Sequence, residues 1–262
     1  MTQELAKFAL THLDLTSLND NDSEDTALRL AQRAVNSSGA CAAVCVWPEF
    51  VKVVRTNLAE NVSVAAVANF PSGSHSLDAI YKEVTTALNA GASEIDLVLP
   101  YKMLIAGVWN EVASVLKFVR ELTFDYGRNI KLKVILETGA LEGHPNKDDL
   151  IYEAVVLSLQ HGADFIKTST GKHPVGATPY AVEKICQLLA VYKEKFPNVG
   201  VKVSGGIKTL EDVEVYANIV KKHLGEEALT ADKFRIGASS LMSSIEATLS
   251  GMNNNADEGN SY

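Results

Sequence analysis

Short, almost unbroken apolar runs alternate with longer stretches of helical period along most of the chain. The runs at residues 12–16, 41–48, 62–70, 94–100, 131–138, 164–169, 199–205 and 234–239 read as strands covered on both faces. A short helix is predicted over 2–11. Further helices follow the strands at about 22–36, 49–60, 76–90, 108–126, 147–161, 178–195, 209–224 and 240–251, the first of them capped by Asp22 or Ser23. Strict alternation of strand and helix demands a parallel sheet, and eight such units fit a closed barrel better than an open sheet. A doubly wound open sheet usually has fewer strands and a glycine-rich turn after the first, and no GxGxxG follows the first strand here. The expected architecture is therefore an α/β (β/α)8 TIM barrel over residues 1–250 with a short N-terminal helix. A flexible, polar, Asn-rich C-terminal tail is expected over 251–262.

Composition narrows what the barrel does. The 262 residues carry no Pro/Gly/Ser-rich linker before the tail, so one catalytic or binding domain is expected. A net charge of -8 argues against a nucleic-acid or anionic-membrane surface, although a local lysine cluster still admits a small anionic ligand. No apolar segment reaches the roughly 18 to 20 residues of a membrane span, and Glu4, Lys7 and His12 interrupt the N-terminal apolar run. Cys41 and Cys45 fall on one face of a strand, too far apart along it to bond easily, so reduced thiols and a cytoplasmic location are expected. The six histidines include no pair at metal-ligand spacing, and neither a metal nor a cofactor is expected.

Charged residues inside apolar strands change the picture. The first strand carries Asp14 and Thr16, the fourth Asp96, the fifth Lys133, the sixth Lys167 and the seventh Lys202. In a barrel the chemistry lies at the C-terminal ends of the strands. Lys167 stands in DFIKTSTGK, an apolar strand that opens into a polar loop, and a buried ammonium without a partner sheds its proton to become a nucleophilic amine. The plain alternatives are a lysine snorkelling to solvent or one held by an internal carboxylate.

Lys167 and Lys202 sit on consecutive, hence neighbouring, strands. Two unit charges about 6 Å apart at an effective dielectric near 20 repel by roughly 2.8 kcal/mol, about a hundredfold in a protonation equilibrium. One ammonium thus keeps the other an amine, but the repulsion is mutual and does not say which lysine attacks. Lys133 is read as a rim residue that snorkels. Asp96, among lysines, is read as a proton shuttle in preference to a counter-ion, because carbon–carbon chemistry through an imine moves protons to and from carbon.

An anion site is suggested next. The seventh strand ends in Ser204-Gly205-Gly206 with Lys208 close behind, and the eighth in Gly237-Ala238-Ser239-Ser240 before a helix. Glycines admit an anion to backbone N–H groups, and a helix N-terminus adds partial positive charge. With Lys172 nearby, the pair of loops suits a phosphate, as barrels often do after strands seven and eight.

The segments LDLTSLND (13–20), VANFPSG (67–73), GASEIDLVLPY (91–101), KVILETG (133–139), GADFIKTSTGK (162–172), GATP (176–179), SGGIKT (204–209) and FRIGASS (234–240) together resemble the deoxyribose-phosphate aldolases, almost end to end. The resemblance implies a metal-free class I aldolase of deoxyribonucleotide catabolism. Such an enzyme interconverts 2-deoxy-D-ribose 5-phosphate with acetaldehyde and D-glyceraldehyde 3-phosphate through a lysine Schiff base and an enamine. Carried over by motif, Lys167 becomes the Schiff-base lysine, Lys202 the residue that lowers its pKa, and Asp96 a proton-transfer residue. Asp14 and Thr16 would orient sugar hydroxyls or a water; Thr170, Lys172, Gly205, Gly206, Lys208, Ser239 and Ser240 would hold the rest of the substrate, chiefly its phosphate. Tyr262, the last residue, matches a terminal tyrosine that assists proton transfer in some members.

Two positions depart from the family pattern: Ser204 stands where a small apolar residue is common and Lys208 where arginine is, a point charge for a bidentate fork. The expected partners are the sugar phosphate, the aldehydes and a second copy of the chain in a homodimer. Another lysine-dependent aldolase or a transaldolase, and a non-catalytic sugar-phosphate-binding barrel, are the rival readings.

Overall fold

The structure, a computed structural model, describes residues 2–126 and 129–251. Eight parallel strands close into a barrel: β1 (Leu13–Thr16), β2 (Ala43–Val46), β3 (Ser63–Ala68), β4 (Glu94–Val98), β5 (Lys131–Ile135), β6 (Phe165–Lys167), β7 (Gly200–Ser204) and β8 (Phe234–Ala238). Each pairs with its sequence neighbours, and β1 closes the ring on β8 through Leu13 opposite Ile236 and Leu15 opposite Ala238. The (β/α)8 expectation therefore holds.

The alternation of side chains along each strand builds two separate interiors. Outward-facing residues such as Leu15, Val44, Val64, Ile95, Leu132, Val134, Ile166, Val203 and Ile236 are fully buried against the helices and form the main core. Burying each such side chain is worth about 1.5–3 kcal/mol. Inward-facing residues fill the barrel itself, and these include every charged strand residue of the sequence pattern.

The helices begin where their caps allow. Ser23, Ser76, Thr178 and Thr209 each accept a backbone N–H three residues on, and Asp212 completes a capping box with Thr209. The helices after β6 and β7 run Pro179–Val191 and Leu210–Leu224, and the last runs Leu241–Leu249.

Local details depart from expectation where short polar groups compete with regular structure. The helix expected to continue to residue 36 stops at Arg33, and a small antiparallel hairpin of Val35–Asn36 with Gly39–Ala40 follows. Asn36 Oδ1 takes the Ser38 N–H at 2.8 Å, closing the hairpin turn. His12 ends the first helix instead of beginning β1, and Cys41 lies outside β2; all three cysteines are free and buried. Short helices Tyr101–Ile105 and Thr138–Glu142, neither expected, follow β4 and β5. Apart from Gly251, the tail and its Tyr262 lie outside the described residues.

Candidate active site

Seven charged side chains from six strands converge inside the barrel. Lys133, Lys202, Asp14 and Asp96 are 0% exposed, Glu94 1%, Lys167 2% and Arg235 3%. Strand register brings them together, with Asp96 opposite Lys133, Lys167 opposite Lys202 and Lys202 opposite Arg235. Side-chain size decides how they fit. A Cβ at Gly237 would lie 3.0 Å from Lys202 Cε, so the bare backbone there makes room for the lysine stem.

The three lysines are not equivalent. Lys133 Nζ is 2.9 Å from Asp14 Oδ2 and 3.1 Å from Asp96 Oδ1, and also pairs with Glu94. Lys202 Nζ is 2.5 Å from Asp14 Oδ2 and 2.7 Å from Asp96 Oδ2. Lys167 Nζ meets a single carboxylate, Asp96 Oδ2, at 2.8 Å. Arg235 completes the layer, 2.7 Å from Asp14 Oδ1 and 3.3 Å from Glu94 Oε1.

Those partner counts decide the protonation states. Burial pushes the Lys167 amine below its ordinary value; Asp96 opposes this, and the Lys202 charge adds to the lowering. For Lys202 the same burial is outweighed by Asp14 and Asp96, which hold it above its ordinary value. Lys133 goes the same way, well above, under Asp14, Asp96 and Glu94. Burial works against the carboxylates too, but the surrounding cations keep Asp14 and Asp96 below the usual carboxylate range. The reading of Lys133 as a snorkelling rim residue is thus overturned: its amine turns inward because three carboxylates await it there.

Above this layer a cavity of about 230 Å³ opens at the C-terminal face. Lys167, Thr16, Thr170, Lys172, Gly205, Gly206, Lys208, Ser239 and Ser240 line it, together with Leu18, Asn19 and Gly237. Asp14, Asp96 and Lys202 do not reach its wall; they lie beneath it, with Lys167 as the charged link between layer and cavity. Asp14, expected to touch substrate, has instead both oxygens taken by Lys133, Lys202 and Arg235.

The loops after β6 and β7 meet backbone to backbone. A Cβ at Gly205, whose φ is +87°, would lie 2.9 Å from Gly176 Cα, and only glycine at both positions permits the approach. Gly206, at φ +85°, faces open space. Ser240 precedes the last helix without a side-chain cap, leaving the first N–H groups of that helix free to meet a ligand. Ser204, the first departure from the family pattern, donates its hydroxyl to Ser169 O at 2.5 Å and so ties β7 to the loop after β6. Lys172 Nζ is 3.8 Å from Asp20, whereas Lys208 has no carboxylate within ion-pair distance among the described residues.

The family comparison bears on this arrangement directly. Residues 8–242 match the sequence model of the DeoC/LacD family aldolase. The chain belongs to that family. A solved structure from Toxoplasma gondii ME49 shares the fold of this aldolase with a TM-score of 0.83 at 23% identity, over 96% of both chains. The aldolase QR15 is 30% identical over 93% of this chain and 97% of its own, with a TM-score of 0.74. The deoxyribose phosphate aldolase of Aeropyrum pernix, described as tetrameric, is 25% identical over 94% and 91%, with a TM-score of 0.71. No described helix of the aldolase is long and apolar enough to cross a membrane, and no described group of His, Cys, Asp and Glu could hold a metal ion.

Three residues of the site escaped the sequence reading. Glu94 and Arg235 sit at inward positions of β4 and β8, and the strand alternation that singled out Asp96 would have found both. Glu137 follows β5 in the left-handed region at φ 55°, ψ 58°, and accepts the Thr170 N–H and hydroxyl. Burial raises its carboxyl above the ordinary value despite those two hydrogen bonds. A non-glycine residue at such a φ is uncommon, and here it aims a carboxylate at the loop that carries Thr170 and Lys172.

Proposed function

We propose that this family aldolase is of class I and uses Lys167 to form a Schiff base with acetaldehyde, cleaving 2-deoxy-D-ribose 5-phosphate reversibly. The carrying observation is the inequality among the three buried lysines: of these, Lys167 alone combines a single carboxylate partner with a place on the cavity wall. Its amine adds to the carbonyl and, with loss of water, forms an imine. In cleavage the imine is on the sugar's C1; once protonated it withdraws the electrons of the breaking carbon–carbon bond while the C3 hydroxyl gives its proton to a bound water, releasing the phosphorylated aldehyde. The enamine left behind takes a proton on carbon, and hydrolysis frees acetaldehyde and Lys167.

Protons reach Lys167 along a route the geometry favours. Asp96 Oδ2 stands 2.8 Å from Lys167 and 2.7 Å from Lys202. Lys202, held cationic, is the group with a proton to give, and ionised Asp96 links the two amines and orients them. Asp96 thereby acts more as a bridge between the two amines than as the proton shuttle that its place among lysines first suggested. Thr16 faces the cavity with its hydroxyl donated to Asp14 O at 2.8 Å, leaving its oxygen to accept from a sugar hydroxyl or water. The phosphate is assigned to Gly205, Gly206, Ser239, Ser240 and the Lys172 and Lys208 ammonium groups, where backbone N–H groups and a helix N-terminus converge. Lys208 in place of arginine gives up bidentate geometry, which suits a broad acceptor range.

Cleavage of deoxyribose 5-phosphate, and a permanent mass gain at Lys167 after treatment with acetaldehyde and borohydride, test the reading. Labelling at another lysine sinks the assignment. Equal use of dihydroxyacetone phosphate as donor would point instead to a different lysine aldolase.

A further inference from the structure

The ion layer holds more charge than the reaction at Lys167 touches. Glu94 and Arg235 are buried, neither reaches the cavity, and they pair with each other at 3.3 Å. Glu94 Oε2 and Asp96 Oδ1 accept no hydrogen bond from any described residue; what faces both is Lys133. We propose, building on the Schiff-base reading, that Glu94 and Arg235 are positioning residues that set the protonation of Lys167 through the charge balance of this layer.

The balance follows from the contacts. The carboxylates are Asp14, Glu94 and Asp96; the cations paired with them are Lys133, Lys202, Arg235 and Lys167. With Lys167 neutral, three positive charges oppose three negative ones. A proton on Lys167 leaves one surplus charge in a layer buried from bulk solvent, which is unfavourable. The amine that gives up its proton is the one with fewest partners.

Other groups facing Lys167 do not upset the count. Cys45 Sγ lies 4.0 Å from Asp96 Oδ2, and burial pushes that thiol up, so it stays neutral. Glu137 feels the Lys167 charge but forms no ion pair with it; burial raises its carboxyl, Thr170 holds both its oxygens, and it is the same in every variant below, so it leaves the direction of the shifts unchanged. Lys172 and Lys208 stand on the open cavity wall, where solvent screens them.

Opposite substitutions must therefore move Lys167 in opposite directions. Glu94→Gln leaves the layer one positive charge in excess with Lys167 neutral, which makes its proton costlier still. Arg235→Met leaves it one negative charge in excess, which invites the proton back. Charges several ångströms apart in such a setting move a titration midpoint by about one to two pH units.

The test is NMR titration of the Lys167 side chain in the full-length protein labelled with ¹³C and ¹⁵N at lysine, the signal assigned by its loss in Lys167→Met. Glu94→Gln should lower the Lys167 midpoint by about one unit or more and Arg235→Met should raise it comparably. The double variant should return close to the parent, and Arg235→Lys, which keeps the charge, should rescue the parent midpoint. Shifts in the same direction, or none, overturn the proposal. If a variant does not fold, the parent decides alone: Lys167 must lose its proton at lower pH than Lys133 and Lys202, and a Lys167 that loses it together with them or after them would overturn it. Borohydride trapping with acetaldehyde is read separately. Shifts without an adduct on Lys167 refute the Schiff-base reading and keep the charge balance; an adduct without shifts does the reverse.

Discussion

Two inward-facing pairs, one above the other on β4 and β5, are filled in opposite ways. Asp96 lies opposite Lys133; two residues further along, Val98 lies opposite Ile135. The first pair belongs to the ion layer. The second belongs to an apolar patch with Leu18, Cys45, Ala65, Val67 and Phe70, fringed by Trp47 and Tyr101. Both are out of water. The apolar patch is stable whatever its neighbours do, because each member contributes by area alone. The ion layer is conditional, since removing any partner but the neutral Lys167 unbalances its charges, and a buried ion set seldom outdoes hydrophobic residues of the same volume. A barrel that keeps such a layer beside an apolar patch is retaining it for chemistry.

The largest effect that separates the two regions is expected at the junction with the cavity. Lys167→Met should reduce deoxyribose 5-phosphate cleavage by about 10⁴-fold or more, the scale of losing a covalent nucleophile, while urea denaturation at pH 7 shows stability unchanged or higher. A large stability loss would mean that Lys167 is an ordinary ion-pair member. Lys202→Met should behave the other way: it leaves the layer one buried negative charge in excess, shared by Asp14 and Asp96, and should cost about 3–5 kcal/mol by chemical denaturation, together with most of the activity.

The pH dependence of stability comes next in size. The folded-state value of Lys167 lies below the ordinary 10.5, so between the two the unfolded chain binds more protons and stability rises with pH. The parent should therefore gain on Lys167→Met by up to about 1.4 kcal/mol per pH unit between the folded-state value and 10.5, followed by denaturation in steps from pH 7 to 10.5. Lys202 works with the opposite sign, its stabilisation being complete below 10.5 and lost only above, so it adds no slope in the window. Identical slopes in parent and variant would show Lys167 to be cationic. The smallest effect belongs to the apolar patch: Ile135→Val should cost about 0.5–1.5 kcal/mol and leave kcat/KM within a few-fold. A tenfold loss of activity there would make the patch part of the substrate site.

The barrel was legible because its signal is repeated: eight apolar runs and the helical stretches between them each report the same alternation, and one misplaced boundary changes nothing. The ends of elements were less so. Asn36 and Gly39 cut a helix short through a turn that depends on one side-chain hydrogen bond, and the helix at Thr138–Glu142 starts from a left-handed Glu137 that no periodicity announces. Within the site, the residues of strands six and seven were visible as charges in apolar runs. What the linear pattern withheld was partnership. Lys133, Lys167 and Lys202 look alike in sequence, and only the closure of the ring, which brings Asp14 and Arg235 across from Asp96 and Glu94, makes one of them different. The same closure carries Asp14 down into the ion layer, away from the substrate wall where the family resemblance had suggested it.

The meeting of Gly176 with Gly205 bears on how this enzyme's selectivity is open to alteration. Because neither position tolerates a side chain without displacing the other segment, the two anchor stretches of the rim behave as one rigid plate, and randomising either will mostly yield misfolded clones. Variation directed at Leu18 and Asn19, which line the same cavity outside that plate, meets no such interlock and is where new aldehyde preferences are most accessible to selection.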